Sequence, residues 1–298
     1  MRVTSLTTSD AIIRQISQLS TQQASLQTEV STGQKITNPE DDPAGVNTAL
    51  NYENQLSQVQ QYAKNATQAL TVSQASYSGL QSLNSISNRA GELATLGTGT
   101  LGSSAMQSYG TETNQLIEQA VQAANSSFNG VYLYGGTAVS SPPYTVTRDA
   151  SGNITGVAYA GNQSQATIPL SASSGVSPST DGTTNTGIAT FINNLVSLRD
   201  ALNSGDTTAV SNTQAGLTDG ENVITSAIAT NGGIQTRIQA AQSDQTSQVT
   251  NLQSDISSVV DADLPTTIVQ LTQAQTAYQA ALQSAVSSMQ LSILNYIH

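Results

Sequence analysis

The sequence predicts a mainly α protein: a long antiparallel helical rod formed by the N- and C-terminal parts of the chain, with a small β-rich inserted domain. Three observations carry this. The seven prolines leave two long proline-free stretches, between Pro43 and Pro142 and between Pro178 and Pro265. Apolar residues recur there at steps of three and four, the spacing of one helix face. From Val131 to Thr190 the texture changes: only Arg148, Asp149 and Asp181 are charged, and Gly, Ser, Thr and Pro dominate.

The elements follow in order. A first helix runs from about Thr4 to Thr32, with Leu6, Ile13, Ile16, Leu19, Leu26 and Val30 on one face and Gly33 at its C-terminus. "TNPEDDPAGV" is a turn, with Asp42 placed to cap the next helix and Pro43 at its first position. That helix runs to about Leu96, too long for an average globular helix. "GTGTLGSS" breaks it, and a third helix covers about Ser104 to Ser127.

The insertion comes next. "YTVT" and "ITGVAYA" read as strands joined by the turn "DASGN", "ATIPL" as a further strand, and "SASSGVSPSTDGTTNTG" as loop. Helix returns with Ile188, Phe191, Ile192, Leu195, Leu198 and Leu202 on one face, and another helix spans about Thr207 to Thr230. "NGG" at 231–233 is expected to break it. The last helical region starts at Ile234 and is interrupted at Pro265, with Asp261 and Asp263 as caps. Its final stripe is Leu264, Ile268, Leu271, Ala274, Tyr278, Leu282, Ala285, Met289, Ile293 and Tyr296. One-sided helices at both ends of the chain are expected to pair. This gives terminal helices at 1–40 and 264–298, a helical rod at 41–137 and 187–263, and a β-rich outer insertion at 138–186.

Composition narrows function. Aromatics are 4%, without Trp, so the core is aliphatic. The net charge is −11, and Arg2, Arg14, Lys35, Lys64, Arg89, Arg148, Arg199 and Arg237 are scattered. They form no basic stripe, which excludes nucleic acid and an anionic membrane as natural partners. Cys is absent, so disulfides and thiol chemistry are excluded. No apolar run of signal-peptide or membrane-span character is present, so export is expected to proceed without a cleaved signal.

Chemistry finds little purchase. The one histidine is His298, the last residue, so nucleophile–base schemes and His/Cys metal sites lack their parts. Glu40, Asp41 and Asp42 are adjacent carboxylates. Paired carboxylates serve glycoside hydrolysis, but at a helix start they are ordinary capping residues. The expectation is no catalytic residue, no cofactor and no metal, with Asp41, Asp42 and Pro43 as a structural turn. The apolar stripes remain. A two-helix tip surrounded by Ala, Ser and Thr buries too little to be firm alone and is expected to order against other subunits.

Three stretches together resemble one family. "STGQKITNPEDDPAGV" (Ser31 to Val46) is similar to the turn after the first helix of flagellin-type proteins. "ANSSFNGVYLYGGT" (Ala124 to Thr137) is similar to the N-x-x-x-N-G-x-Y-L-F-x-G stretch of junction proteins, with Tyr134 in place of Phe. "AYQAALQSAVSSMQLSILNYI" (Ala277 to Ile297) resembles the C-terminal helix of the hook-associated protein 3 family. The resemblance covers roughly 1–137 and 187–298; nothing in 138–186 contributes.

The resemblance implies a non-enzymatic, structural role at the hook–filament junction of the bacterial flagellum, after type III export. It implies hook-associated protein 1, flagellin, like subunits in a helical layer and a flagellar export chaperone as partners. On this reading Leu6, Ile13, Ile16, Leu19 and Leu26 face Leu271, Tyr278, Leu282, Met289, Ile293 and Tyr296 in the assembled inner tube. The rival is a flagellin filament subunit, which would polymerise alone. A rival of another class is a secreted helical adhesin whose β-rich module binds glycans.

Overall fold

The structure, a computed structural model, describes residues 2–99 and 102–297, with side chains described for 10–99 and 102–287. Six helices and three two-stranded sheets are found among them. Two compact units divide the chain: Met1–Gln58 with Gln248–His298, and Val59–Ser247.

The first unit holds α1 (Arg2–Thr32) and α6 (Leu264–Ile297), which lie side by side, with the start of α2 (Pro43–Gly97) and the end of α5 (Thr207–Val260). Gly33 ends α1 in the left-handed region at φ 73°, where its N–H donates to Glu29 O at 2.8 Å. The backbone of Gln34 then bridges Asp261 in antiparallel fashion. Lys35 N donates to Val260 O and Ala262 N to Gly33 O, both at 2.8 Å, so the exit from α1 is bonded to the entry into α6.

The second unit is built on α2, α3 (Ser103–Ala124), α4 (Gly182–Ser204) and α5. Its main core gathers Leu80, Leu83, Ala90 and Leu93 of α2, Ile117 and Ala120 of α3, and Val210, Leu217 and Ile224 of α5. Ile188, Phe191, Ile192, Leu195, Leu198 and Leu202 of α4, read from the sequence as one face, are all fully buried in it. A smaller cluster joins Ala66 and Ala69 of α2 to Ile238 of α5, Leu170 and Val176.

The strands are short. β1 (Ser127–Phe128) pairs with β2 (Val131–Tyr132) across Asn129 and Gly130, both at positive φ, the backbone of a tight hairpin turn. β3 (Tyr144–Arg148) pairs antiparallel with β4 (Ile154–Tyr159), with an irregularity between Thr147 and Arg148. Asp149 closes their turn by accepting from the N–H groups of Ser151 and Asn153 at 2.8 and 2.9 Å. β5 (Ile168–Pro169) pairs with β6 (Gly175–Val176).

Two expectations are corrected. First, "NGG" does not break α5, which runs unbroken from Thr207 to Val260. Asn231 is buried, accepting from Ser73 Oγ at 3.0 Å and from Gln235 Nε2 at 2.8 Å, and packing on both sides outweighs the poor helix propensity of two glycines.

Second, α4 starts at Gly182 inside the stretch read as loop, because Asp181 caps it by accepting from Thr184 N at 2.7 Å.

Residues 138–186 belong wholly to the second unit. Tyr144, Ile154 and Val157 enter the helical core, and Asn193 of α4 bonds both the N–H and the C=O of Val157, at 2.9 and 2.8 Å. A two-stranded ribbon is marginal alone, and a helix supplies the missing face. The boundaries between the two units fall at 58/59 and 247/248.

Candidate assembly surface

Among the described side chains of α1 the covered positions are Ile12, Ile16, Leu19, Gln23, Leu26 and Val30, with Glu29 beside them; Leu26 is buried and the others half-buried. Those of α6 are Thr267, Leu271, Ala274, Tyr278, Ala281 and Ala285, with Thr267 and Ala274 buried and the rest half-buried. Each series steps by four and three in alternation, a heptad seam. The two helices lie side by side and antiparallel, so the two seams face one another. Small residues on α6 let the backbones approach, and Tyr278 fills space where its neighbours are alanine.

A second apolar stripe is left over. On α6, Ile268, Leu282 and Val286 are 49%, 41% and 54% exposed, and Val269 is 56% exposed. On α1, Ile13 is 54% exposed, beside the seam and not in it. Scattered exposed apolar residues are normal, but several on one helix of a two-helix pair form a surface. From Leu264 to Ile297 the sequence has no charged residue, so nothing on α6 repels an apolar neighbour.

The sequence-predicted residues therefore divide. Ile16, Leu19 and Leu26 lie in the α1 seam, and Leu271 and Tyr278 in the α6 seam, all at least half-buried. Ile13 and Leu282 lie outside it and are exposed. The single stripe read from α6 is two stripes that cross: Leu264, Leu271, Ala274, Tyr278 and Ala285 keep one heptad register, while Ile268 and Leu282 keep another. Leu6, Met289, Ile293 and Tyr296 lie outside the residues whose side chains are described, and His298 lies outside the described residues. Sequence reading missed Ile12, Ala281 and Val286. Counting in sevens, not in threes and fours, would have found Ile12 from Leu19 and Leu26 and Ala281 from Ala274; Val286 lies one turn beyond Leu282.

The turn between α1 and α2 is held by its carboxylates. Asp42 Oδ1 accepts from Ala44 N at 3.1 Å and Gly45 N at 3.0 Å, satisfying the first orphan donors of α2, with Pro43 at the first helical position. Asp41 Oδ2 turns the other way and accepts from Asn38 N at 2.7 Å and from Thr37 N and Thr37 Oγ1, both at 3.1 Å. Those backbone donors, Asn38 first, hold the Asp41 carboxyl below the ordinary range. Both carboxylates thus accept from backbone N–H groups of the turn.

Among the described residues no group of three or more His, Cys, Asp and Glu is arranged to hold a metal ion. Among them no helix is long and apolar enough to cross a membrane. A groove between α2 and α3 is lined by Ser78, Gly79, Ser82, Ser85, Gln119 and Gln122, without a titratable group.

Comparison with known proteins agrees with this geometry. Residues 3–138 match the bacterial flagellin N-terminal helical region. The fold is similar to that of a Vibrio parahaemolyticus protein described as flagellar hook-associated, with a TM-score of 0.66 and 14% identity, covering 74% of this chain and 100% of that one. It is similar to Bacillus cereus FlgL, with a TM-score of 0.60 and 18% identity, covering 70% and 99%. Xanthomonas campestris FlgL gives a TM-score of 0.56 and 14% identity, covering 69% and 99%. No curated protein matches the sequence. At these identities the structural likeness is one of fold. The chain is thus flagellin-like in its N-terminal helical region and has the fold of the flagellar hook-associated proteins.

Proposed function

We propose that the chain is a structural subunit of the bacterial flagellum that joins hook to filament through its terminal helices. The observation that carries this is the uncovered apolar stripe on the uncharged α6, beside a seam already filled by α1. A helix with one partner and two apolar stripes is built for a second partner, and a repeated contact of this kind generates rings or helical layers. The flagellin match over residues 3–138 and the hook-associated fold support the flagellar setting.

On this reading hook-associated protein 1 lies on one side and flagellin on the other, like subunits fill the layer, and an export chaperone holds the chain before assembly. Its place is the hook–filament junction, outside the cell. The role is structural, consistent with Asp41 and Asp42 being committed to the backbone of their turn. Leu6, Ile13, Leu282, Met289, Ile293 and Tyr296 are assigned to contacts between subunits, and Ile16, Leu19, Leu26, Leu271 and Tyr278 to the α1–α6 seam.

The test is location and truncation together. Labelled protein on isolated flagella is expected as one short band between hook and filament. Removing the last ten residues is expected to leave a folded, exported protein that no longer enters that band. Normal joining by the truncated chain would defeat the proposal. Growth of purified protein into long filaments on its own would favour a flagellin subunit instead.

A further inference from the structure

The glycines of α5 fall into two kinds. A Cβ on Gly216 would run into the Asn194 side chain at 2.6 Å, and one on Gly220 into the Phe191 ring at 2.5 Å. Those two are required by close packing against α4. A Cβ on Gly232 or Gly233 would meet nothing within 4 Å, and neither residue has positive φ. Packing and backbone geometry would both accept alanine. Each glycine nonetheless weakens the helix locally by about fivefold relative to alanine.

The same level of the second unit is also where its apolar packing stops. On α5, Ala227 and Ile228 belong to the larger core cluster, and Ile234 and Ile238 to the smaller. On α2, Val72 and Ala75 belong to the larger cluster, and Ala69 and Leu70 to the smaller. Between the clusters α2 presents a polar residue to α5: Ser73, whose Oγ donates to Asn231 Oδ1 at 3.0 Å. Asn231 is 2% exposed, and its Nδ2 reaches Pro178 O at 3.5 Å. One thin layer thus combines a polar gap in the seam and two glycines that sterics do not demand.

We infer that residues 231–233 of α5, with Ser73 of α2 opposite, form a built-in flexure where α5 opens and bends while the apolar clusters on either side stay intact. The polar layer costs less to open than an apolar one, because water satisfies the groups it exposes. This inference does not depend on the flagellar reading.

Amide hydrogen exchange on the isolated full-length protein tests it. Amides of 229–236 are expected to exchange about tenfold or more faster than those of 221–228 and of 238–245. In the double variant Gly232→Ala, Gly233→Ala, protection at 229–236 is expected to rise by about twentyfold, erasing the minimum. Gly→Ala at open helical positions does not threaten folding, so the variant is readable. Uniform protection along α5 in the unaltered protein would overturn the inference. So would a minimum that survives both substitutions. Loss of assembly in the variant, with uniform exchange in both proteins, would mean that the glycines serve close approach by another chain, which also overturns it.

Discussion

Tyr134 and Tyr144 are fully buried phenols that donate to backbone carbonyls. Tyr134 Oη reaches Ser76 O at 2.7 Å and Tyr144 Oη reaches Asn185 O at 3.0 Å. Burial pushes Tyr134 up to about 12 and Tyr144 well above the ordinary phenol value. The folded state therefore holds these protons more tightly than the unfolded chain does. Their contribution is complete below the unfolded value near 10 and is lost as pH rises through the folded one. Stability in urea is expected to fall steeply between pH 10 and about 12, with three of the ten tyrosines, Tyr134, Tyr144 and Tyr159, ionising late in an absorbance titration at 295 nm. Tyr134→Phe should flatten part of that slope. The sequence placed Tyr134 in a family motif but gave no sign of its burial, because a tyrosine in a Gly-rich stretch has no periodic neighbours to mark a face.

At the scale of the element, local chemistry was readable where one residue decides. Asp42 capping α2, Pro43 at its first position and Gly33 ending α1 follow from side-chain and backbone preferences that need no tertiary context. "NGG" was misread because the same preferences are overruled when a helix is packed on both sides of the weak spot. The start of α4 was misplaced for a related reason: Asp181 is an N-cap only if the Ser/Thr-rich residues after it are helical. The α4–α5 contact yields a prediction in which propensity and packing oppose each other. Gly220→Ala raises helix propensity but places its Cβ against the Phe191 ring, which is fully buried and has no room to move. The variant is expected to lose about 1–3 kcal/mol in chemical denaturation, the cost of overpacking, despite the gain in propensity.

Across the whole molecule, the helical class and the apolar faces were legible because spacing at three and four survives in any one sequence. The division into units was not. Unit boundaries depend on which surfaces meet, and a β-rich texture does not reveal that Tyr144, Ile154 and Val157 complete a helical core. The candidate surface was half legible. An apolar helix at each end of the chain was plain, but one merged stripe concealed a filled seam and an open one.

The open stripe has a thermodynamic consequence. With no side chain charged at neutral pH along α6, an association through it has no Coulombic attraction between its own side chains to screen. Such a contact is governed by the hydration of apolar surface, which weakens on cooling and strengthens in sulfate. Sedimentation of assembled protein is expected to be unchanged between 0.05 and 1 M NaCl, about a fourfold change in Debye length, and to shift toward the monomer as the sample is chilled. A joint of this kind tolerates swings in the salinity of its surroundings and is weakest in the cold.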